Sequence, residues 1–188
     1  MRILIAGMKC SGKSTTSRKL SQILDIPCIE TDDLVEEIFA EDTGEQLTCR
    51  QIFRSRGENT FRDYEARAVD RAAELHWCIL SLGGSTLLDN ENRRKLYPGS
   101  LLVWLDPPVD SLWKRIQKTG IPPFLEREDA REWFENRCKR AEAAVKPLSH
   151  VTCDTSAFPP DEAAKRIADR VGKEMHSRMQ SPNSLGKI

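Results

Sequence analysis

Long hydrophobic runs are missing from this 188-residue chain: the longest, Ile3 to Ala6 and Leu101 to Leu105, fall far short of a membrane span, which needs about 20 apolar residues. No signal-peptide core follows Met1. A surplus of charge is missing too, because 29 Lys and Arg balance 29 Asp and Glu. That balance removes the basic footprint of a sequence-independent nucleic-acid binder. The six cysteines contain no C-x-x-C pair and are too sparse for a disulfide scaffold, so neither a stapled secreted domain nor a structural zinc site is expected. Only three histidines occur, His76, His150 and His176, far apart and without a nucleophile motif, and none is assigned a catalytic role. A monomer in a reducing, cytoplasmic setting is the expectation, with a small-molecule substrate and neither nucleic acid nor membrane as a partner.

What is present is an alternation of short apolar runs with amphipathic stretches. Residues 2–7 form an apolar run ended by glycine, the pattern of a strand buried on both faces of a parallel sheet. A helix is predicted over 14–24, a strand over 27–31 and a helix over 33–40. Thr60 to Asp63 fits a capping box that opens a long helix through Leu75. Further strands are predicted over 78–82, 100–106 and 151–154, with helices over 90–96, 109–118, 129–145 and 160–175. Five strands alternating with helices imply a three-layer α/β/α sandwich on a five-stranded parallel sheet. No repeat or linker divides the chain, so residues 1–175 read as one domain. Residues 119–128 form an irregular lid around Gly120, Pro122 and Pro123, and 176–188 a frayed tail.

Gly7-Met8-Lys9-Cys10-Ser11-Gly12-Lys13-Ser14 matches G-x-x-x-x-G-K-[ST] between a predicted strand and a predicted helix. By composition alone such a match arises in roughly one chain in a hundred of this length, and the strand-to-helix context makes coincidence rarer. Gly7 and Gly12 let successive N–H groups and the helix N-terminus face a phosphate. Lys13 then reaches the terminal phosphates and the Ser14 hydroxyl binds Mg²⁺. Cys10, Ser11 and Thr15 complete the nucleotide-binding candidates. At the carboxyl end of the second strand, alternation sends Glu30 and Asp32 to one side. That suits one carboxylate supporting Mg²⁺ through water and the other accepting from a substrate hydroxyl; helix capping by Thr31, Asp32 and Asp33 is the competing reading. Asp106, at the end of a hydrophobic strand and before Pro107-Pro108, is given a turn role.

The phosphate loop, Glu30-Thr31-Asp32, the element Gly57-Glu58-Asn59-Thr60-Phe61-Arg62-Asp63-Tyr64-Glu65, Leu80 to Gly84, and Lys139-Arg140-Ala141 together resemble the successive signatures of the shikimate kinases. The resemblance covers about residues 1–170 and implies a nucleoside-monophosphate-kinase-like P-loop fold. It further implies transfer of the γ-phosphoryl of ATP, with Mg²⁺, to the 3-hydroxyl of shikimate. Under it Arg62 and Arg140 grip the acceptor carboxylate, Asp32 orients the attacking hydroxyl, Gly84 offers its N–H, Glu65 steadies Arg62 and Glu30 supports the metal. The chain departs from the pattern in carrying Glu30 for aspartate, Ser85 for a third glycine, and Ile121-Pro122-Pro123-Phe124-Leu125 where an arginine-bearing lid is expected. Arg127 is the favoured substitute for that arginine, ahead of Arg115 and Lys118. Two alternatives stand beside the leading reading: a kinase for another small hydroxy acid such as gluconate, and a nucleotide-binding protein without turnover.

Overall fold

The computed structural model describes residues 1–180. Five parallel strands, β1 (Arg2–Gly7), β2 (Cys28–Glu30), β3 (Cys78–Ser81), β4 (Ser100–Leu105) and β5 (Val151–Cys153), form one sheet in the order β2-β3-β1-β4-β5. The helices are α1 (Lys13–Leu24), α2 (Thr31–Thr43), α3 (Cys49–Glu74), α4 (Asn90–Leu96), α5 (Val109–Thr119), α6 (Ala130–Ala144) and α7 (Pro160–Gln180). Every residue of β1 is buried, and its alternation divides the apolar material between two layers. Leu4 and Ala6 join Leu80, Leu102 and Trp104 in a layer with Phe39, Ile52, Val69 and Phe134 of α2, α3 and α6. Ile3 and Ile5 join Ile79, Leu101 and Val103 in a layer with Leu20, Ile167 and Val171 of α1 and α7. Each fully buried Leu, Ile or Phe contributes about 1.5–3 kcal/mol. Surface ion pairs such as Arg67 with Asp42 and Arg71 with Glu41 contribute about 0–1 kcal/mol, so the two apolar layers hold the fold. Because all strands run the same way, β1, β2 and β3 deliver Gly7, Glu30 and the segment after Ser81 to one edge, where open α/β sheets bind ligands.

The predicted sandwich is the observed architecture, and the differences are local. The long third helix starts at Cys49, where Thr48 and Gln51 form a complete capping box; Thr60 lies inside the helix. Gly57, at φ 84° and ψ 170°, breaks the helical path, so the Thr60 pattern sits in the first turn after a kink. Its third-following residue is an aspartate, one methylene shorter than the Glu or Gln that completes a box. The second strand ends at Glu30 and Thr31 already opens α2, so helical geometry, and not strand alternation, sets the direction of Asp32. The last helix continues past Met175 to Gln180, where the Arg178 guanidinium donates to the Ser100 carbonyl at 3.1 Å. Residues 176–180 are therefore helical; the rest of the expected tail lies outside the described residues. Asp106 accepts from the Trp104 indole at 2.9 Å and pairs with Lys146, which fits its turn role.

Candidate active site

A cleft of about 690 Å³ opens along the carboxyl edge of the sheet between the phosphate loop and the N-terminal half of α3. Its first wall is the loop between β1 and α1. A Cβ at Gly7 would lie 2.6 Å from Ser11 Oγ and 2.7 Å from the Leu105 carbonyl, so only glycine fits. Gly12 has open space but φ 93°, and it is needed for its backbone conformation. No side chain caps the N-terminus of α1, which leaves its first N–H groups for an anion. The loop is held from behind: Arg115 donates to the Cys10 carbonyl at 3.1 Å and to the Thr155 carbonyl at 3.0 Å, and Thr155 Oγ1 donates to the Ser11 carbonyl at 2.7 Å. Cys10 has φ 65°, a left-handed conformation that costs a residue with a Cβ about 1–2 kcal/mol. Ser11, expected to contact the nucleotide, is fully buried beneath the loop: its N–H donates to the Met8 carbonyl at 3.1 Å and its carbonyl accepts from Thr155, so it stays outside the cleft, which Cys10, Gly12, Lys13, Ser14 and Thr15 line. The Lys13 ammonium folds back to donate to the Met8 carbonyl at 3.0 Å. Burial, aided by repulsion from Lys9, lowers its pKa from 10.5 to about 8 against the attraction of Asp32 and Glu30.

The Ser14 hydroxyl donates to Glu30 Oε2 at 2.5 Å, and Arg18 contacts Glu30 Oε1 at 2.6 Å. A hydroxyl and a carboxylate beside a phosphate loop are a hard-oxygen pair that suits a divalent cation holding water and phosphate as its other ligands. Glu30 occupies the N-cap position of α2 and makes no side-chain cap hydrogen bond, while Thr31, Asp32 and Asp33 already lie within the helix, so the expected capping by those three is not what the structure shows. Thr31 does something no sequence pattern signalled. Its buried hydroxyl accepts from the Gly83 N–H at 2.9 Å and donates to the Ser81 carbonyl at 3.3 Å, fastening the end of β3 to α2. Asp32 and Glu65 consequently flank Gly83, each with an oxygen 3.5 Å from where its Cβ would stand. A Cβ at Gly84 would come within 3.2 Å of the Lys9 backbone nitrogen; it is the phosphate loop that crowds this glycine.

At the far end of the cleft, Arg62 contacts Glu65 through Nη1, Glu58 at 3.1 Å and Ser85 Oγ at 3.4 Å. The second arginine there is Arg137 and not Arg140. Phe134, Cys138, Ala141 and Val145 are the buried face of α6 and its cap. At about 100° per residue, Arg137 lies about 60° from Phe134, at the border of that face, while Arg140 lies about 120° away. Arg137 is half-buried and lines the cleft; Arg140 is exposed and lies outside the lining. Arg137 stacks over Trp133 at 5.0 Å but has no ion-pair or hydrogen-bonding partner among the described residues. Burial lowers its pKa, and Arg62 and Arg140 lower it further. Phe53, Phe61 and Phe124 give this end an apolar wall.

The lid folds back over the cleft through Pro122, Pro123 and Phe124. Arg127 does not cover the nucleotide side as expected. It is engaged twice by Asp129 and lies 5.4 Å over Trp133, an exposed local pairing. Arg115 is committed to the loop backbone. Sequence reasoning overlooked Arg50, which lines the cleft and donates through Nη2 to the Ile121 carbonyl.

Comparison with known proteins agrees with this geometry. The family model described as shikimate kinase matches residues 9–172. A shikimate kinase of Prochlorococcus marinus is 32% identical over 175 residues, covering 92% of this chain and 86% of its own. One from Persephonella marina is 32% identical over 171 residues, covering 90% and 98%. Among solved structures, shikimate kinase from Acinetobacter baumannii in complex with shikimate superposes with TM-score 0.77 at 23% identity, covering 96% of this chain and 95% of that one. A gluconokinase from Sinorhizobium meliloti superposes with TM-score 0.60 at 19% identity, covering 96% and 97%, so the fold alone does not choose the acceptor. The sequence match, extending through the phosphate loop from Lys9, the acidic triplet, the Arg62 element and the arginines of α6, does choose among families: this chain belongs to the shikimate kinase family.

Proposed function

We propose that the protein transfers the γ-phosphoryl group of ATP to the 3-hydroxyl of shikimate. The observation that carries the acceptor assignment is Arg137. A half-buried guanidinium that has no carboxylate partner among the described residues, next to Arg62 in the cleft that the phosphate loop also lines, is a site prepared for an anion. Two guanidinium forks suit a carboxylate better than two ammonium groups would. Arg62 keeps Glu65 and Glu58 as positioning partners, so Arg137 carries the larger share of the uncompensated charge. The acceptor pair is therefore Arg62 and Arg137, in place of Arg62 and Arg140. The apolar wall of Phe53, Phe61 and Phe124 suits the face of a ring.

The donor phosphates lie on the N–H groups of Cys10 and of Gly12 to Thr15, with Lys13 leaving the Met8 carbonyl to meet them. Mg²⁺, between Ser14 and Glu30, would neutralise phosphate charge and align the terminal group. Asp32 accepts the hydrogen bond of the attacking hydroxyl and takes its proton as the new O–P bond forms and the bond to the β-phosphate oxygen breaks, releasing ADP. The site is complete within one chain, which supports a monomer. All six cysteines are free, which supports a reducing, cytoplasmic setting; no described helix is long and apolar enough to cross a membrane. Coupled ADP-release assays with ATP and Mg²⁺ and with shikimate, gluconate or no acceptor test the reading. Acceptor-dependent release with shikimate is the expected result. Release only with gluconate, or ATP binding without acceptor-dependent release, overturns it.

A further inference from the structure

A phosphate loop supplies N–H groups and one lysine from below, but the charge that develops on a transferring phosphoryl group spreads over oxygens that face away from the loop. A cation arriving from the opposite wall is worth most there, because it acts in a closed, water-poor site. In the lid segment from Thr119 to Leu125 no residue is charged. Of the cations that line the cleft, Lys13 and Lys9 belong to the loop itself, Arg115 is bound to the Cys10 and Thr155 carbonyls, and Arg62 and Arg137 stand at the acceptor end. One remains.

Arg50 projects from the first turn of α3. One amino group of its guanidinium is held by the Ile121 carbonyl, and both Nη1 and Nη2 lie 3.9 Å from the position of a Cβ at Gly120. Nη1 and Nε have no hydrogen-bonding partner, and the guanidinium no carboxylate, among the described residues. The adjoining Thr119 hydroxyl is 3.6 Å from Cys10 Sγ on the phosphate loop. Two residue steps of about 3.8 Å each therefore separate the chain that holds Arg50 from the residue that touches the loop. Nearby, Arg54 pairs with Glu126, so two successive turns of α3 grip the lid.

We propose that Arg50 supplies the guanidinium that meets the terminal phosphate of the nucleotide, and that the lid backbone at Ile121 carries it into place. The cation is thus contributed by the acceptor-side helix and steered by the uncharged segment of the lid, Thr119 to Leu125. The proposal rests on the phosphoryl-transfer reading above, so its test is made first without an acceptor. The affinities of a non-hydrolysable ATP analogue, ADP and AMP are measured with Mg²⁺ for the natural protein, Arg50→Ala, Arg50→Lys and the double variant Arg50→Ala/Ile121→Arg. Arg50→Ala should weaken the ATP analogue roughly tenfold or more, the range of a lost charged hydrogen bond, while ADP and AMP change less than about twofold. Arg50→Lys should recover only part of the loss, since an ammonium lacks the fork. Restoring a guanidinium at position 121 should recover most of it.

Equal losses for all three nucleotides would make Arg50 a lid latch only, and unchanged affinity for the ATP analogue would remove it from the phosphates; either overturns the proposal. If the natural protein fails to turn over shikimate, these binding comparisons still report on Arg50, so the two readings fail separately. In turnover assays, a rise in acceptor KM with kcat unchanged in Arg50→Ala would place the guanidinium on the acceptor and also overturn the proposal.

Discussion

Replacing Arg137 by methionine should raise the stability of the free protein while weakening its acceptor, two effects of opposite sign from one substitution. The guanidinium is half-buried, has no ion-pair partner among the described residues, and is repelled by Arg62 and Arg140 more than Glu65 and Glu58 attract it. Methionine fills nearly the same volume, removes the charge, and retains apolar contact with the neighbouring Trp133. Exchanging buried ion pairs for well-packed apolar residues of similar volume is neutral or stabilising by about 1–4 kcal/mol in measured cases; a single, partly exposed charge such as Arg137 is placed at the lower end, about 1 kcal/mol. For a chain of this length that corresponds to about 2–4 °C in Tm. The same substitution removes charged hydrogen bonds worth about 1.5–3 kcal/mol, so the shikimate KM should rise roughly tenfold to a hundredfold with ATP KM little changed. Scanning calorimetry with and without shikimate reads both effects. Saturating acceptor at about 100 times its Kd stabilises a competent site by about 2.7 kcal/mol, and at the same concentration a site weakened tenfold to a hundredfold should keep only about 0.4–1.4 kcal/mol of that, although the variant's baseline is higher. The reasoning is refuted if Arg137→Met lowers Tm and leaves the shikimate KM unchanged, and most directly if Arg140→Met produces the acceptor defect instead.

Three further outcomes follow from the loop and its neighbours. With Lys13 at about 8 in the free protein and phosphate favouring its charged form, ATP binding at pH 8 should take up a fraction of a proton, and affinity should fall as pH rises through 8. Calorimetry in two buffers of different ionisation enthalpy measures the uptake, and none at pH 8 would contradict the assignment. Cys10→Gly should stabilise the protein by about 1 kcal/mol by relieving a left-handed residue, as denaturant unfolding would show; a loss of stability would mean that the thiol packing against Thr119 outweighs the strain. Gly84→Ala should lower kcat/KM for both substrates, because its Cβ presses on the backbone of Lys9; a defect confined to the acceptor would show that the phosphate loop does not yield.

The phosphate loop was legible because its chemistry is local: glycine spacing, a lysine and a hydroxyl fall within eight residues, between a continuous apolar run and a helix. The layered sheet was legible because parallel strands buried on both faces read as short, continuous apolar runs. The motif reading chose Arg140 and passed over Arg137, three residues earlier on α6. The choice between them depends on helix phase, which Phe134, Cys138, Ala141 and Val145 did announce as an apolar stripe. Thr48 and Gln51 likewise formed a legible capping box that was passed over for the shorter Thr60 pattern. Arg50 and Arg115 carried no local signal, since each acts on backbone 71 and 105 residues away in the chain. Strand alternation could not set the direction of Asp32, because β2 ends at Glu30, one residue sooner than predicted, and Asp32 already lies in α2.

The grip of Arg115 and Thr155 on the loop carbonyls sets when, during synthesis, the protein becomes competent. Thr155 lies 144 residues after the Ser11 carbonyl it holds, and the segment that carries it follows the last strand of the sheet. A nascent chain that has emerged only as far as α6 already displays the whole G-x-x-x-x-G-K-S sequence. It still lacks one of the two braces that shape that sequence around an anion. The loop is therefore less firmly shaped until β5 has docked beside β4, and a motif whose residues are all local depends for its shape on a side chain 144 residues further along.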